Sequence, residues 1–318
     1  MKPKLLVARR LFPELLEPLR AHYELDVHDS DAALSPAELR QRLQGCWGLL
    51  GSGSERVDPE LLAACPDLRG IALITVGYNN LDVPACRARG LLLSHAPGVL
   101  TEATAEFGLS LLLATARRVG ESERYLRAGR WQGWGIDQFA GAPVSGTVLG
   151  IVGLGRIGGL IARRAAAGFD MQVRYHNRKP LPDAGGALWR PLPELLAEAD
   201  HVLVVVPYSP ATHHLIGAAE LAQMKPTATF VNIARGGVVD DAALAAALRA
   251  GRIAAAGLDV FEGEPSVHPA LLACENAVLT PHIASSTLPT RRAMVQRGVD
   301  NLLAWAAGQP GPTPIPNS

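Results

Sequence analysis

The chain has 318 residues, 48% of them hydrophobic, and its 30 basic residues balance its 30 acidic residues. This length predicts two domains, while the neutral net charge gives no general attraction for nucleic acid or a membrane surface. No N-terminal signal region and no apolar run of the ~20 residues needed to span a bilayer is visible, and the four scattered cysteines are typical of isolated thiols in a reducing cytosol. We therefore expect a soluble, cytoplasmic protein.

The first hundred residues alternate short apolar runs with helical patterns. The apolar runs predict strands at 5–8, 47–50, 71–74 and 91–93. A short helix is predicted at 13–19, and a second helix starts at Ser35, which is an N-cap followed by Pro36 at the first helical position. Strands that alternate with helices predict a parallel sheet covered on both faces.

The pattern changes at Thr101, an N-cap for one long predicted helix at 101–119, which precedes an irregular Gly- and Trp-rich segment at 129–143. A second alternating series follows, with strands predicted at 148–152, 171–175, 201–206, 229–233, 253–258 and 277–279. Six strands separated by helices indicate one doubly wound domain. A last helix at 287–307 lies beyond this sheet, and the proline-rich tail after Gly308 is expected to be poorly ordered.

A glycine fingerprint, G-x-G-x-x-G, lies in TVLGIVGLGRIGG directly after an apolar strand and at the start of a helix. Gly153 allows a tight turn, Gly155 lets the backbone approach a pyrophosphate, and Gly158 lets the helix pack against its strand. The helix N-terminus offers free N–H groups to the phosphates. This context predicts a dinucleotide site, with a packing turn as the alternative.

The second strand of this unit ends at YHNRK, where an NAD-binding chain usually carries an acidic residue for the adenosine ribose. No acid is present, and Arg178 and Lys179 follow Asn177 there. A guanidinium binds a phosphate with two parallel hydrogen bonds. The stretch predicts NADP(H) preference, with NAD(H) still possible; the alternative is that both cations are solvated loop residues.

Three polar side chains follow the fourth, fifth and sixth strands of the second series: Arg235, Glu264 and His282. Because the carboxyl ends of parallel strands line one crevice, we expect them to converge. Reduction of a 2-keto acid develops negative charge on the carbonyl oxygen, which a cationic histidine stabilises and protonates. Glu264 would favour the imidazolium, and Arg235 would bind the substrate carboxylate.

The sequence resembles the D-isomer-specific 2-hydroxyacid dehydrogenases along essentially its whole length. The motifs that carry the resemblance are GYNNLDV, APGVLTEATAEFGLSLLLA, GIVGLGRIG, VNIARGGVVDDAALAAAL, GLDVFEGEP and TPHIASS. The resemblance implies an α/β fold of two doubly wound parallel-sheet domains, with a Rossmann dinucleotide-binding domain at 99–285 inserted into a flavodoxin-like catalytic domain at 1–98 and 286–318. It also gives Arg235, Glu264 and His282 the catalytic roles.

The resemblance implies further site residues and includes those already found at the fingerprint and at YHNRK. The implied cofactor-binding positions are Thr104, Gly153, Leu154, Gly155, Arg156, Ile157, Gly158, Asn177, Arg178, Pro207, Thr212, Ile233, Ala234, Asp259 and Ala284. Asp259 is expected near the nicotinamide carboxamide, and Ala284 replaces the glycine of the common PHIGS motif. No metal is predicted, because His213 and His214 have no evident third ligand and are assigned to loop packing. His95 is expected to cap a strand end rather than approach the substrate.

Within the family the chain is most similar to NADP-linked glyoxylate/hydroxypyruvate reductases and 2-ketogluconate reductases, through VGYNNLDV and RWQGW. This similarity implies that backbone N–H groups of Val76 and Gly77 bind the substrate carboxylate, together with Arg235 and His282. It also implies a homodimer in which Trp134 reaches the partner subunit's active site; the alternative is an interface anchor without substrate contact.

The sequence therefore predicts NADPH-dependent reduction of a small 2-keto acid to the D-2-hydroxy acid, with no nucleic acid or membrane partner. Glyoxylate, hydroxypyruvate and 2-ketogluconate are the expected substrates. The alternative from another class is a cofactor-sensing protein similar to the C-terminal binding corepressors, with little turnover. A third possibility, oxidation of phosphite or formate, lacks its specialised segments here.

Overall fold

The computed structural model describes residues 1–316 and divides the chain into two compact units. Unit 1 consists of Met1–Leu100 and the chain from Ser286 onward, and unit 2 consists of Thr101–Ser285. Each unit has its own sheet, and every pair of neighbouring strands is parallel. The predicted fold class, two doubly wound α/β units, is confirmed. None of the helices in residues 1–316 is both long enough and apolar enough to cross a membrane.

Unit 1 contains a five-stranded sheet in the order β2-β1-β3-β4-β5. Its strands are β1 (Lys4–Val7), β2 (Glu24–Val27), β3 (Cys46–Gly51), β4 (Gly70–Leu73) and β5 (Leu92–Ser94). Its helices in the first hundred residues are α1 (Pro13–Leu16), which continues as a 3-10 turn at Glu17–Ala21, then α2 (Pro36–Leu43), α3 (Pro59–Ala64) and α4 (Val83–Ala88). The predicted N-cap of α2 is confirmed, because Ser35 and Glu38 form a reciprocal capping box.

Strand β2 was absent from the sequence prediction. It lies at the edge of the sheet, and its sequence, ELDV, is only partly buried. An edge strand packs against one neighbour only and does not need the continuous apolar run that marks a central parallel strand. Because β2 has a polar composition, it contains no apolar run from which a strand could be predicted.

The described part of the C-terminal tail, residues 309–316, is tied to the sheet, so the expectation of a poorly ordered segment is wrong there. Helix α12 (Leu288–Ala306) lies within the predicted helix at 287–307, and Thr287 is its N-cap. Beyond it, the N–H of Ile315 donates to the carbonyl of Leu93, and only 5% of Ile315 is exposed. The tail is held by an apolar anchor and backbone pairing to β5, which its proline content does not reveal.

Unit 2 contains a seven-stranded sheet in the order β12-β11-β10-β9-β6-β7-β8. Six strands overlap the six predicted ones: β6 (Val148–Val152), β7 (Gln172–His176), β9 (His201–Val204), β10 (Thr229–Asn232), β11 (Ala255–Leu258) and β12 (Ala277–Leu279). The seventh, β8 (Leu188–Trp189), is a two-residue edge strand that the pattern missed. Helices α7 (Arg156–Phe169), α8 (Leu192–Glu198), α9 (Ala218–Leu221), α10 (Asp241–Arg249) and α11 (Pro269–Leu272) connect them.

The long predicted helix at 101–119 is two helices, α5 (Thr101–Ala116) and α6 (Val119–Arg127). Arg118 adopts a left-handed conformation with φ of 53°, which ends the helical path. Helix α5 packs closely on the sheet, because a side chain on Gly257 of β11 would lie 2.4 Å from Oγ1 of Thr115. The segment 129–143 forms no helix or strand, as expected.

Candidate active site

Three neighbouring strands of unit 2 end at the same edge of the sheet. Strands β10, β11 and β12 are adjacent and parallel, so their carboxyl ends point the same way. Arg235 follows the first, Glu264 the second and His282 the third, each within a short loop. The topology places the three loops side by side at one edge.

His282 and Glu264 are in direct contact. Nδ1 of His282 lies 2.8 Å from Oε2 of Glu264, while the other carboxylate oxygen accepts a hydrogen bond of 2.9 Å from the backbone N–H of Phe261. Since an ionised carboxylate only accepts, Nδ1 must carry the hydrogen. The ring is therefore oriented by Nδ1, and Nε2 is the nitrogen that can exchange a proton with a ligand.

Glu264 stays ionised in this arrangement. Burial alone would raise the pKa of its carboxyl, but the hydrogen bond and charge of His282, the Phe261 N–H and the charge of Arg235 together hold that pKa below its usual value. The ionised carboxylate holds the ring at Nδ1 and leaves Nε2 without a hydrogen-bond partner among residues 1–316.

Arg235 is partly buried close to this pair. Burial lowers the pKa of its guanidinium, and the charge of Glu264 opposes that shift; an arginine nevertheless remains charged. Within residues 1–316 the guanidinium makes one hydrogen bond, of 2.8 Å, from Nη1 to the carbonyl of Ala234. The other donors of its planar fork are available to an anionic ligand.

Asp259 holds the histidine loop, a role that sequence reasoning missed. Its side chain is fully buried and accepts hydrogen bonds from Oγ1 of Thr280 at 2.7 Å and from the N–H groups of Ile283 and Ala284, each at 2.8 Å. Burial raises the pKa of this carboxyl, and the three hydrogen bonds oppose that shift. Asp259 was expected at the nicotinamide carboxamide, and the structure shows its oxygens engaged on both sides of His282.

The glycine loop has the geometry that the fingerprint demands. Gly153 has φ of 106°, and a side chain on it would lie 2.8 Å from Cγ1 of Val206. A side chain on Gly158 would lie 2.3 Å from the carbonyl oxygen of Gly153, whereas the space around Gly155 is open. Helix α7 starts at Arg156 without a side-chain cap, so its first N–H groups are free for an anion.

Asn177 clamps the glycine loop. Its Oδ1 accepts a hydrogen bond of 2.7 Å from the N–H of Leu154, and its Nδ2 donates to the carbonyl of Leu154 at 3.3 Å. Asn177 was expected to bind the cofactor, and in the structure both the oxygen and the nitrogen of its amide bond to Leu154. Arg178 and Lys179 are exposed, and neither has a hydrogen-bond or ion-pair partner within residues 1–316.

The other expected cofactor positions lie in several loops of unit 2 and on α5. Ile233 and Ala234 are buried directly after β10, and Ala284 is buried after His282. Thr212 lies in the loop after β9, where its hydroxyl donates to the carbonyl of Pro207 at 2.9 Å. Thr104 is buried within α5, the helix that begins unit 2 before its first strand. The remaining three positions, Leu154, Arg156 and Ile157, are the non-glycine residues of the G-x-G-x-x-G motif.

His213 and His214 have a neighbour that the sequence did not indicate. Nε2 of His214 lies 3.0 Å from Oε2 of Glu262, and the three side chains bring potential ligand atoms within 4.8 Å of one another. The two rings stack 4.0 Å apart at 21°, so their lone pairs lie in nearly parallel planes rather than meeting at one point. The N–H of His214 also donates to the carbonyl of Gly237, so this pair ties the loop after β9 to the arginine and glutamate loops.

Three further expected substrate contacts, Val76, Gly77 and Trp134, lie outside these loops. Val76 and Gly77 form a partly buried turn after β4 of unit 1. Trp134 belongs to the irregular segment of unit 2 and is 78% exposed, close in sequence to the exposed side chain of Ile136. Large apolar side chains left in water mark a surface that a partner can cover.

Comparisons with known proteins agree with these observations. Residues 109–284 match the family model of the D-isomer specific 2-hydroxyacid dehydrogenase, NAD binding domain. The chain is 43% identical to a glyoxylate reductase of Thermococcus onnurineus, over 98% of this chain and 96% of that protein. It is 44% identical to glyoxylate/hydroxypyruvate reductase B of Escherichia fergusonii, over 97% and 96%.

Among solved structures, the NADPH-dependent glyoxylate/hydroxypyruvate reductase of Sinorhizobium meliloti, in complex with NADP and malonate, is similar with a TM-score of 0.85. The two are 38% identical over 99% of this chain and 97% of that one. A protein from Thermus thermophilus has a TM-score of 0.90 and 42% identity, over 98% and 100%.

Proposed function

The chain belongs to the D-isomer-specific 2-hydroxyacid dehydrogenases, and from that premise we propose that it reduces glyoxylate or hydroxypyruvate with NADPH. The product is the 2-hydroxy acid, in the D configuration where it is chiral. The observation that carries the proposal is the His282–Glu264 hydrogen bond, placed next to Arg235 at the carboxyl edge of a dinucleotide-binding sheet. The corepressor-like alternative has no observation in its favour.

The residues present fit a nicotinamide dinucleotide. The open space at Gly155 and the uncapped start of α7 suit a pyrophosphate. When bound, the reduced nicotinamide supplies a hydride to the carbonyl carbon. The chain supplies the proton: His282 holds it at Nε2 and delivers it to the carbonyl oxygen as negative charge develops there.

Glu264 and Arg235 support this transfer in different ways. Glu264 orients the imidazole through Nδ1, and its pKa is held below the usual value, so the carboxylate beside the ring is ionised. Among residues 1–316 the Arg235 guanidinium donates to one backbone carbonyl, so its remaining donors bind the substrate carboxylate and draw charge towards the carbonyl oxygen. In the oxidative direction the neutral ring accepts the proton, by microscopic reversibility.

The proposed cofactor is NADPH, with NADH as a weaker second. Arg178 and Lys179 are exposed, have no partner in the described chain, and lie just after β7, where an acid would repel a 2′-phosphate. Asn177 contributes by fixing the adjacent glycine loop. Arg178 is the residue that we assign to the 2′-phosphate.

The substrate assignment rests on the relatives. Their names give glyoxylate and hydroxypyruvate; 2-ketogluconate is a further candidate from the sequence resemblance. For the substrate carboxylate we propose the N–H groups of Val76 and Gly77 as further donors. We also propose a homodimer in which Trp134 contributes to the partner subunit's site. The proposal is supported by the exposed apolar side chains in its segment, which a partner subunit would remove from water.

A substrate panel tests the proposal. The purified protein is assayed with glyoxylate, hydroxypyruvate, pyruvate and 2-ketogluconate, each with NADPH and with NADH, and kcat/KM values are compared. We expect the highest value for glyoxylate or hydroxypyruvate with NADPH. Tight NADPH binding without turnover of any 2-keto acid would contradict the proposal and favour a cofactor-sensing protein.

A further inference from the structure

Two consecutive peptide groups in the turn after β4 are held by the segment that follows β5. The carbonyl oxygen of Thr75 accepts a hydrogen bond of 2.8 Å from the N–H of Ala96. The carbonyl oxygen of Val76 lies 2.9 Å from Nδ1 of His95. Because the C=O and N–H of a planar trans peptide point in opposite directions, these contacts fix the directions of the N–H groups of Val76 and Gly77.

Both N–H groups are available for a ligand. Within residues 1–316 neither Val76 nor Gly77 donates its N–H to a protein acceptor, and both residues are only partly buried. The carbonyl of Gly77 is in turn held by Oγ1 of Thr75 at 2.9 Å, so the turn is constrained on both sides. Backbone donors without a protein acceptor are suited to bind an anion.

His95 is a rigid anchor for this turn. Its side chain lies edge-on to the ring of Tyr78 at 5.4 Å, and the residue is 7% exposed. Its backbone is held twice by the C-terminal tail: its N–H donates to the carbonyl of Thr313 at 3.1 Å, and Oγ1 of Thr313 donates to its carbonyl at 2.6 Å. Since the carbonyl of Val76 only accepts, Nδ1 of His95 must carry a hydrogen.

We propose that His95 is a positioning residue for the substrate carboxylate. By holding the Val76–Gly77 peptide, it presets the Gly77 N–H as a donor to the carboxylate of the 2-keto acid, without touching the substrate itself. The inference rests on the proposed function, in which Val76 and Gly77 bind that carboxylate. A preset donor binds more strongly, because no conformational freedom is lost when the ligand arrives.

Three variants test the inference. His95→Ala removes the donor. His95→Asn keeps one, because the amide nitrogen of asparagine, like Nδ1, is bonded to Cγ. His95→Gln keeps a polar side chain but moves its amide one bond further out. We expect His95→Ala and His95→Gln to raise the KM for glyoxylate about tenfold, which is the worth of one charged hydrogen bond, with an unchanged KM for NADPH. His95→Asn should restore most of the affinity.

Equal effects of the alanine and asparagine variants, or an unchanged KM in all three, would overturn the inference. Calorimetry of malonate binding to the protein saturated with NADP+ separates this failure from failure of the proposed function. If the wild-type protein reduces no 2-keto acid but its malonate affinity falls in His95→Ala and returns in His95→Asn, the inference stands and the proposed function fails. If turnover is normal and malonate affinity is equal in every variant, the proposed function stands and the inference fails.

Discussion

His282 and Glu264 are 18 residues apart in sequence, yet Nδ1 of the imidazole lies 2.8 Å from Oε2 of the carboxylate. The contact follows from the sheet, because the strands that precede the two loops, β11 and β12, are paired in parallel. It fixes which ring nitrogen faces a ligand and places a negative charge behind the ring.

Replacing His282 with alanine should lower kcat by about 10²–10⁴-fold, the usual contribution of a positioned general acid. The dissociation constant of NADPH should stay close to wild type, because the glycine loop and α7 are unchanged. Stopped-flow turnover and fluorescence titration measure the two quantities. His22→Ala, which removes an exposed histidine of unit 1, is the matched control; wild-type turnover in His282→Ala would exclude His282 as the acid.

Replacing Glu264 with glutamine should lower kcat for keto-acid reduction by about tenfold. The carboxylate accepts from both Nδ1 of His282 and the N–H of Phe261, whereas an amide has one acceptor oxygen for these two donors. Turnover is measured with glyoxylate at saturating NADPH. Glu262→Gln is the control, since Glu262 contacts a different histidine, His214. An unchanged kcat in Glu264→Gln would show that Glu264 does not position the ring.

The lowered pKa of Glu264 also predicts how stability depends on pH. A carboxyl with a depressed pKa in the folded state contributes stability above its unfolded pKa of about 4.3 and loses it as the pH falls through the folded pKa. The wild type should therefore lose free energy of unfolding relative to Glu264→Gln as the pH falls from about 5 to about 3. Urea unfolding at several pH values measures it; a constant difference contradicts the prediction.

Replacing Arg178 with alanine should raise the KM for NADPH by about tenfold or more, since a charge-assisted contact to phosphate is lost. The KM for NADH should hardly change, because NADH lacks the 2′-phosphate. Lys179→Ala is the control next to it and should have a smaller effect. Equal shifts in the KM values for NADPH and NADH would mean that Arg178 and Lys179 are solvated loop residues that do not bind the 2′-phosphate.

Trp134 can be tested by complementation between subunits. If it completes the partner subunit's site, Trp134→Ala and His282→Ala should each be impaired alone. Co-expression of the two variants should restore up to about a quarter of wild-type activity to the whole dimer population. With random pairing about half of the dimers are mixed, and each mixed dimer has one intact site of two. Size-exclusion chromatography with light scattering checks that dimers form. No recovery in verified mixed dimers would leave Trp134 as an interface anchor.

Much of the fold was predictable from local patterns. Central parallel strands such as β6 and β10 are buried on both faces, so they appear as continuous apolar runs. The N-cap Ser35 and the glycines of the fingerprint were recognisable because their roles depend on neighbouring residues. The edge strands β2 and β8, and the break at Arg118, were missed because they carry no comparable local pattern.

The candidate site divides in the same way. Sequence pattern and resemblance alone selected Arg235, Glu264 and His282. Only the tertiary structure showed that Asp259 grips the histidine loop, that Asn177 clamps the glycine loop, and that His95 holds the Val76 carbonyl. Each of these contacts joins residues 19–25 positions apart. The sequence determines which groups are present and the local backbone they favour, whereas the partner of a buried polar group is decided by which strand ends the sheet brings together.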